Sequence, residues 1–72
     1  MNNACMATLV SIGRKIALLR AKQGMSQEDL AGAAEINRGY LSRIENGRVA
    51  FSMTVFLKIV IALNVKPSSI FE

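Results

Sequence analysis

Residues 24–47 read GMSQEDLAGAAEINRGYLSRIENG, and the spacing within them decides the fold. Ser26 opens SQED, a Ser followed three residues later by an acid. That is a capping-box variant, in which each side chain bonds the other residue's backbone N–H at a helix start. A helix of about two turns is predicted to Ala34, with Leu30, Ala31 and Ala34 inward. After a turn of three or four residues, Asn37 is a good N-cap for a second helix, which Asn46-Gly47 stops. Leu41 and Ile44, three apart, give that helix a docking face. Ala31 stands where a longer side chain would push the two helices apart. Leu30, Ile36, Leu41 and Ile44 then meet in one core if the helices cross steeply.

The outer face of the second helix is unusual for a surface meeting only water. Arg38, Gly39, Tyr40, Ser42 and Arg43 are donors, an aromatic and a gap, with no acid before Glu45. Outward from this pair, Leu9, Ile12, Ile16 and Leu19 recur at helical spacing as far as Lys22, and Gly24 ends that helix. Residues 1–8 read as a flexible tail, leaving residues 9–72 as a single domain. On the other side RVAF is a loop, Ser52 caps a helix to about Leu63, and Asn64 closes it. Pro67 permits a last short turn through Phe71. The expectation is an all-α, compact five-helix bundle.

Composition narrows the function. The chain has 72 residues, 51% of them hydrophobic and 19% charged, which is too apolar for a disordered segment. The single cysteine, Cys5, cannot form an internal disulfide and suits a reducing compartment. With no His, no paired-carboxylate site and no Gly-rich phosphate loop, an enzyme is not expected, and neither is a metal or other cofactor. The apolar stretch from Val55 to Val65 is broken by Lys58 and Asn64 and is too short to span a bilayer. MNNACMATLVSIGRK puts its basic residues after its apolar part, the reverse of a secretory signal. A cytoplasmic protein with no membrane partner is expected. Its net charge of +4, with Arg14, Lys15, Arg20 and Lys22 preceding any acid, favours an anionic partner, nucleic acid first. Solubility alone would also account for such a charge.

A short helix, a tight turn and a capped second helix make up the helix-turn-helix arrangement, whose second helix can enter a major groove. The stretch 24–47, with RKIALLRAKQGMSQ before it and FLKIVIALNV after it, resembles the phage repressor and Cro-type helix-turn-helix family, often called XRE. The resemblance runs from about Ile12 to Phe71 and implies a fold of the lambda-repressor-like DNA-binding type. It also implies a sequence-specific transcriptional regulator acting on double-stranded DNA. In that reading Arg38, Gly39, Tyr40, Ser42 and Arg43 face the bases, and each arginine suits guanine O6 and N7. Gln27, Asn37, Asn46 and Arg48 hold phosphates. Arg20 and Glu45 form an ion pair between the first and third helices. The blander readings are solvated arginines, caps at Gln27 and Asn46, and two exposed charges at Arg20 and Glu45.

Three features depart from the family pattern. Glu35 occupies a turn position where Gly is common. RVAFSM lacks the Pro-containing loop often found there. The fourth helix is apolar almost all round, which suggests a partner. Its simplest partner is a second copy, giving a homodimer on an inverted-repeat operator through Phe51, Val55, Ile61, Val65 and Ile70. The chain has no room for an effector domain, so no small-molecule effector is expected. An alternative is a protein-binding module of the same fold, such as the antitoxin of a toxin–antitoxin pair. Compact regulators of this size include the controller proteins of restriction–modification systems.

Overall fold

Three of the helices begin where a short polar side chain accepts a backbone N–H that the helix cannot pair itself. In the computed structural model, which describes residues 3–72, these are α2 (Gln27–Ala34), α3 (Arg38–Glu45) and α4 (Met53–Leu63). Ser26 Oγ accepts from the Asp29 N–H at 3.0 Å while the Asp29 carboxylate accepts from the Ser26 N–H at 2.9 Å, completing the capping box. Asn37 Oδ1 accepts from the Tyr40 N–H at 3.1 Å, and Ser52 Oγ from the Val55 N–H at 3.1 Å.

All four helices, α1 (Asn3–Lys22) included, close the same way: an N–H just past the end returns to a carbonyl in the last turn. The bonds run from Met25 to Arg20, Ile36 to Ala31, Arg48 to Arg43 and Val65 to Val60, at 2.9–3.1 Å. Each closure has a left-handed residue, and two of these are not glycine: Asn64 at φ 57 and Glu35 at φ 58. Asn tolerates that region, whereas a Glu there costs roughly 1 kcal/mol.

Two expectations are corrected. The first helix starts at Asn3 rather than Leu9, so residues 3–8, expected in a tail, belong to α1. Ala4, Met6 and Ala7 are strong helix formers, nothing interrupts the ladder, and Thr8 Oγ1 donates to the Ala4 carbonyl at 2.9 Å. Met1 and Asn2 of that tail lie outside the described residues. Among the described residues there are also four α-helices rather than five, because Pro67–Phe71 is a 3-10 segment. Pro67 has no N–H to donate, and the Ser69 N–H bonds the Lys66 carbonyl at 2.9 Å, an i to i+3 closure.

The core draws on every element: Ile16 from α1, Leu30, Ala31 and Ala34 from α2, Leu41 and Ile44 from α3, Phe56, Ile59, Val60 and Leu63 from α4, and Ile70. Each large apolar side chain buried there contributes about 1.5–3 kcal/mol. Phe56 lies between Phe51 and Phe71, with ring centroids 6.5 and 5.9 Å away. Gln23 Nε2 donates to the Leu63 carbonyl at 2.7 Å, tying the end of α1 to the end of α4.

The contact of α1 with the end of α3 is closest at two glycines. A Cβ on Gly13 would overlap the Ile44 carbonyl and stand 2.8 Å from that of Glu45. A Cβ on Gly47, whose φ is 69, would stand 2.7 Å from the Val10 Cα. Since these neighbours are backbone, neither can move aside alone. Gly13→Ala should therefore lower stability by about 1–3 kcal/mol through overpacking. That outweighs the gain of roughly 1 kcal/mol that Ala normally brings to a helix interior. Urea denaturation checks the sign, and a more stable Gly13→Ala variant would refute the close approach.

Candidate nucleic-acid interface

Eight residues in α3 divide between two faces. Leu41, Ile44 and Glu45 are buried against the other helices, while Arg38, Gly39 and Arg43 are exposed, with Tyr40 and Ser42 half-buried beside them. The five positions expected to face bases thus fall on the outward side or its margin. Tyr40 packs against the core, and the Arg43 guanidinium lies 5.9 Å from the centre of its ring. An edge of donors on a short helix, backed by a packed core, has the shape and chemistry to meet base edges in a major groove.

The residues expected at phosphates flank this helix, and three of them also serve the fold. Gln27, in the first turn of α2, donates from Nε2 to Glu45 Oε1 at 2.9 Å. Asn37 caps α3 through its oxygen, and Asn46 Nδ2 donates to the Ser42 carbonyl at 2.8 Å. Because an amide nitrogen has two N–H groups, one such bond does not exhaust Gln27 or Asn46 as donors. Arg48 is exposed just past Gly47.

Arg20 and Glu45 are brought together. Arg20 Nε donates to Glu45 Oε2 at 2.7 Å, Nη2 to Oε1 at 3.0 Å, and Nη1 to the Met25 carbonyl at 2.8 Å. The Glu45 side chain is 4% exposed and that of Arg20 17%. The hydrogen bonds that Arg20 donates to Glu45 raise its pKa above the ordinary value, against the opposing effect of burial. As a result, the one acid of α3 is turned inward and neutralised, leaving the outer face basic. Asp29 is held below the usual carboxylate range by the Ser26 backbone N–H and then by its hydroxyl.

The apolar residues expected at an interface scatter. Ile61 is exposed at 74%, whereas Phe51, Val55 and Val65 are half-buried against the core. Ile70 is corrected: at 4% exposure it is a core residue of its own chain and is unavailable to a second. Met53, at 68%, and Leu57 join Ile61 instead, forming an exposed stripe at i, i+4 and i+8 along α4. The sequence pattern, apolar nearly all round α4, did not single out this stripe. Gly13 and Gln23, which position α1, carried no signal beyond a glycine inside a helical pattern.

Residues 16–70 match the family described as Helix-turn-helix. The chain belongs to the helix-turn-helix family. The fold superimposes on the restriction-modification controller protein C.AhdI from Aeromonas hydrophila with a TM-score of 0.88. That match is 35% identical over 90% of this chain and 98% of that one. The clp gene regulator ClgR from C. glutamicum matches with a TM-score of 0.84 and 26% identity, over 89% of this chain and 83% of that one. The competence pilus inhibition repressor of Acinetobacter baylyi is 32% identical over 62 residues, 86% of this chain. This chain spans only 56% of that repressor's length. That family is one of DNA-binding domains found in transcriptional regulators, such as the named repressor and clp gene regulator. Among the described residues, no helix is long and apolar enough to cross a membrane.

In this helix-turn-helix protein the Arg20–Glu45 pair can be tested without DNA. Glu45→Gln removes a charge that accepts three hydrogen bonds in a largely buried site, and should lower stability by about 2–3 kcal/mol. An unchanged thermal melt would mean that the pair contributes nothing to the fold.

Proposed function

We propose that the protein is a regulator of transcription that binds an inverted-repeat operator in the cytoplasm as a homodimer, with α3 of each copy in a major groove. What supports base reading most is the outer face of α3: exposed Arg38 and Arg43, and an acid, Glu45, turned away and paired with Arg20. Arg38, Ser42 and Arg43 contact base edges, with Tyr40 packed beside them, and Gly39 leaves a gap in that face. Gln27, Asn37, Asn46 and Arg48 contact phosphates on either side, setting position rather than sequence preference. The likeness to proteins named as a repressor and as a controller supports action at promoters.

One eight-residue helix reads few base pairs, so a second copy is needed for a useful site. The Met53, Leu57 and Ile61 stripe, with Phe51, Val55 and Val65 at its margins, is the surface through which two copies pair. Their recognition helices then stand about 34 Å apart, one DNA turn, on half-sites about 10 base pairs between centres.

Arg38→Ala should weaken binding to the operator by about 1–3 kcal/mol and relax preference at one base pair, with the melt unchanged. Equal losses on operator and random duplex, measured by titration at fixed salt, would make Arg38 a phosphate contact instead. Sedimentation tests the pairing. The wild-type protein is expected as a dimer at about 10 µM, a modest affinity for an apolar contact, and Leu57→Lys and Ile61→Lys as folded monomers. A monomeric wild type, or half-site binding as tight as that of the full operator, would overturn the homodimer.

A further inference from the structure

We propose that Tyr40 is a positioning residue for Arg43, so that the two side chains act as one reader of a single base pair. The inference rests on the base-reading role given to α3 above. Long side chains on a helix point back toward its N-terminus. Arg43 does so, with its guanidinium carbon 5.9 Å from the centre of the Tyr40 ring, three residues earlier. Its Nη1 is 3.7 Å from where a Cβ on Gly39, four residues earlier, would stand. An arginine rooted in the second turn thereby delivers its charge over the first turn, the end that enters a groove first.

The ring is a firm support. Tyr40 is half-buried and packs against the core, and its N–H is held by the Asn37 cap. A guanidinium lying over an aromatic face is attracted by it and keeps its N–H edge free, and that edge is what pairs with guanine O6 and N7. Without the ring, Arg43 would sample several rotamers and lose that freedom on binding. Gly39 completes the arrangement as a gap. A Cβ there would touch Arg43 Nη1 at ordinary contact distance and stand 3.0 Å from Asn37 Oδ1, the cap acceptor, so any atom beyond it would crowd the guanidinium or the cap. Position 39 therefore borders the guanidinium of Arg43 and makes no base contact through a side chain of its own.

The test selects a site from random-sequence duplexes with the wild-type protein, then measures affinity for all four bases at each position. Arg43→Ala should flatten one guanine preference by about tenfold or more. Tyr40→Leu should reduce the preference at that same base pair by about 2–5-fold and leave the other positions unchanged. It should add nothing in the double variant with Arg43→Ala. Tyr40→Phe, which keeps the ring face, should behave as wild type. If Tyr40→Leu fails to fold, Gly39→Ser takes its place: it leaves the ring intact but fills the gap, and should flatten the same base pair. Flattening of a different base pair by Tyr40→Leu, or a uniform loss that includes random DNA, would overturn the coupling while leaving α3 as the reader. No effect of Arg43→Ala at any base pair would do the same. A wild-type protein that selects no sequence would overturn both.

Discussion

One guanidinium fixes the angle between the two halves of the motif. Arg20, near the end of α1, donates to the Met25 carbonyl in the turn before α2 and grips Glu45 at the end of α3 with two further bonds. Glu45 in turn accepts from Gln27 at the start of α2. Helices of eight residues such as α2 and α3 have few core side chains each, and apolar contact is non-directional. It brings them together without setting how they cross. A forked, charge-assisted pair is directional, and here it reaches three elements from one point. For 72 residues the total stability is roughly 4–11 kcal/mol, so a largely buried pair left half-made would remove a sizeable share of it. The same pair makes α3 basic outside and neutral inside, which links the architecture to its electrostatics.

The packing of α1 supplies the second constraint. Gly13 and Gly47 let the first helix run against the terminal carbonyls of α3, and Gln23 fastens its other end to α4. The first helix is therefore a brace held at its middle and at its C-terminal end, and it supports the end of α3 from the inner side.

Much of this is legible in the sequence because it depends on local chemistry. Ser26, Asn37 and Ser52 announce helix starts by their side-chain types, and the inward residues of α2 and α3 follow from a period of 3.6. The start of α1 is not legible because residues 3–8 are exposed throughout and carry none of the inward apolar spacing that marks the helix from Leu9 onward. Ile70 and Phe71 were indistinguishable as apolar neighbours, and only the tight 3-10 turn sends the first into the core and leaves the second exposed. On α4 the apolar residues nearly encircle the helix, so the covered side is set by where α2 lies and not by the pattern. That is why the exposed stripe falls on Met53, Leu57 and Ile61 rather than centring on Val55. The close approach at Gly13 is a tertiary contact with nothing local to predict it.

The two-faced construction of α3 also bears on how such a protein changes its target over evolutionary time. Positions 38 and 43 are exposed, so replacing either side chain leaves the core unaltered and the effects of the two should be close to additive with those of core positions. Position 40 is bound to the core by its packing, and a side chain at position 39 would stand close against the cap beside it. With α3 as the reader proposed above, a lineage drifting toward a new operator would find its freest steps at the two arginines, with the aromatic and the glycine between them more tightly constrained. Diversity of binding preference and constancy of fold are compatible here because they are assigned to opposite sides of the same two turns.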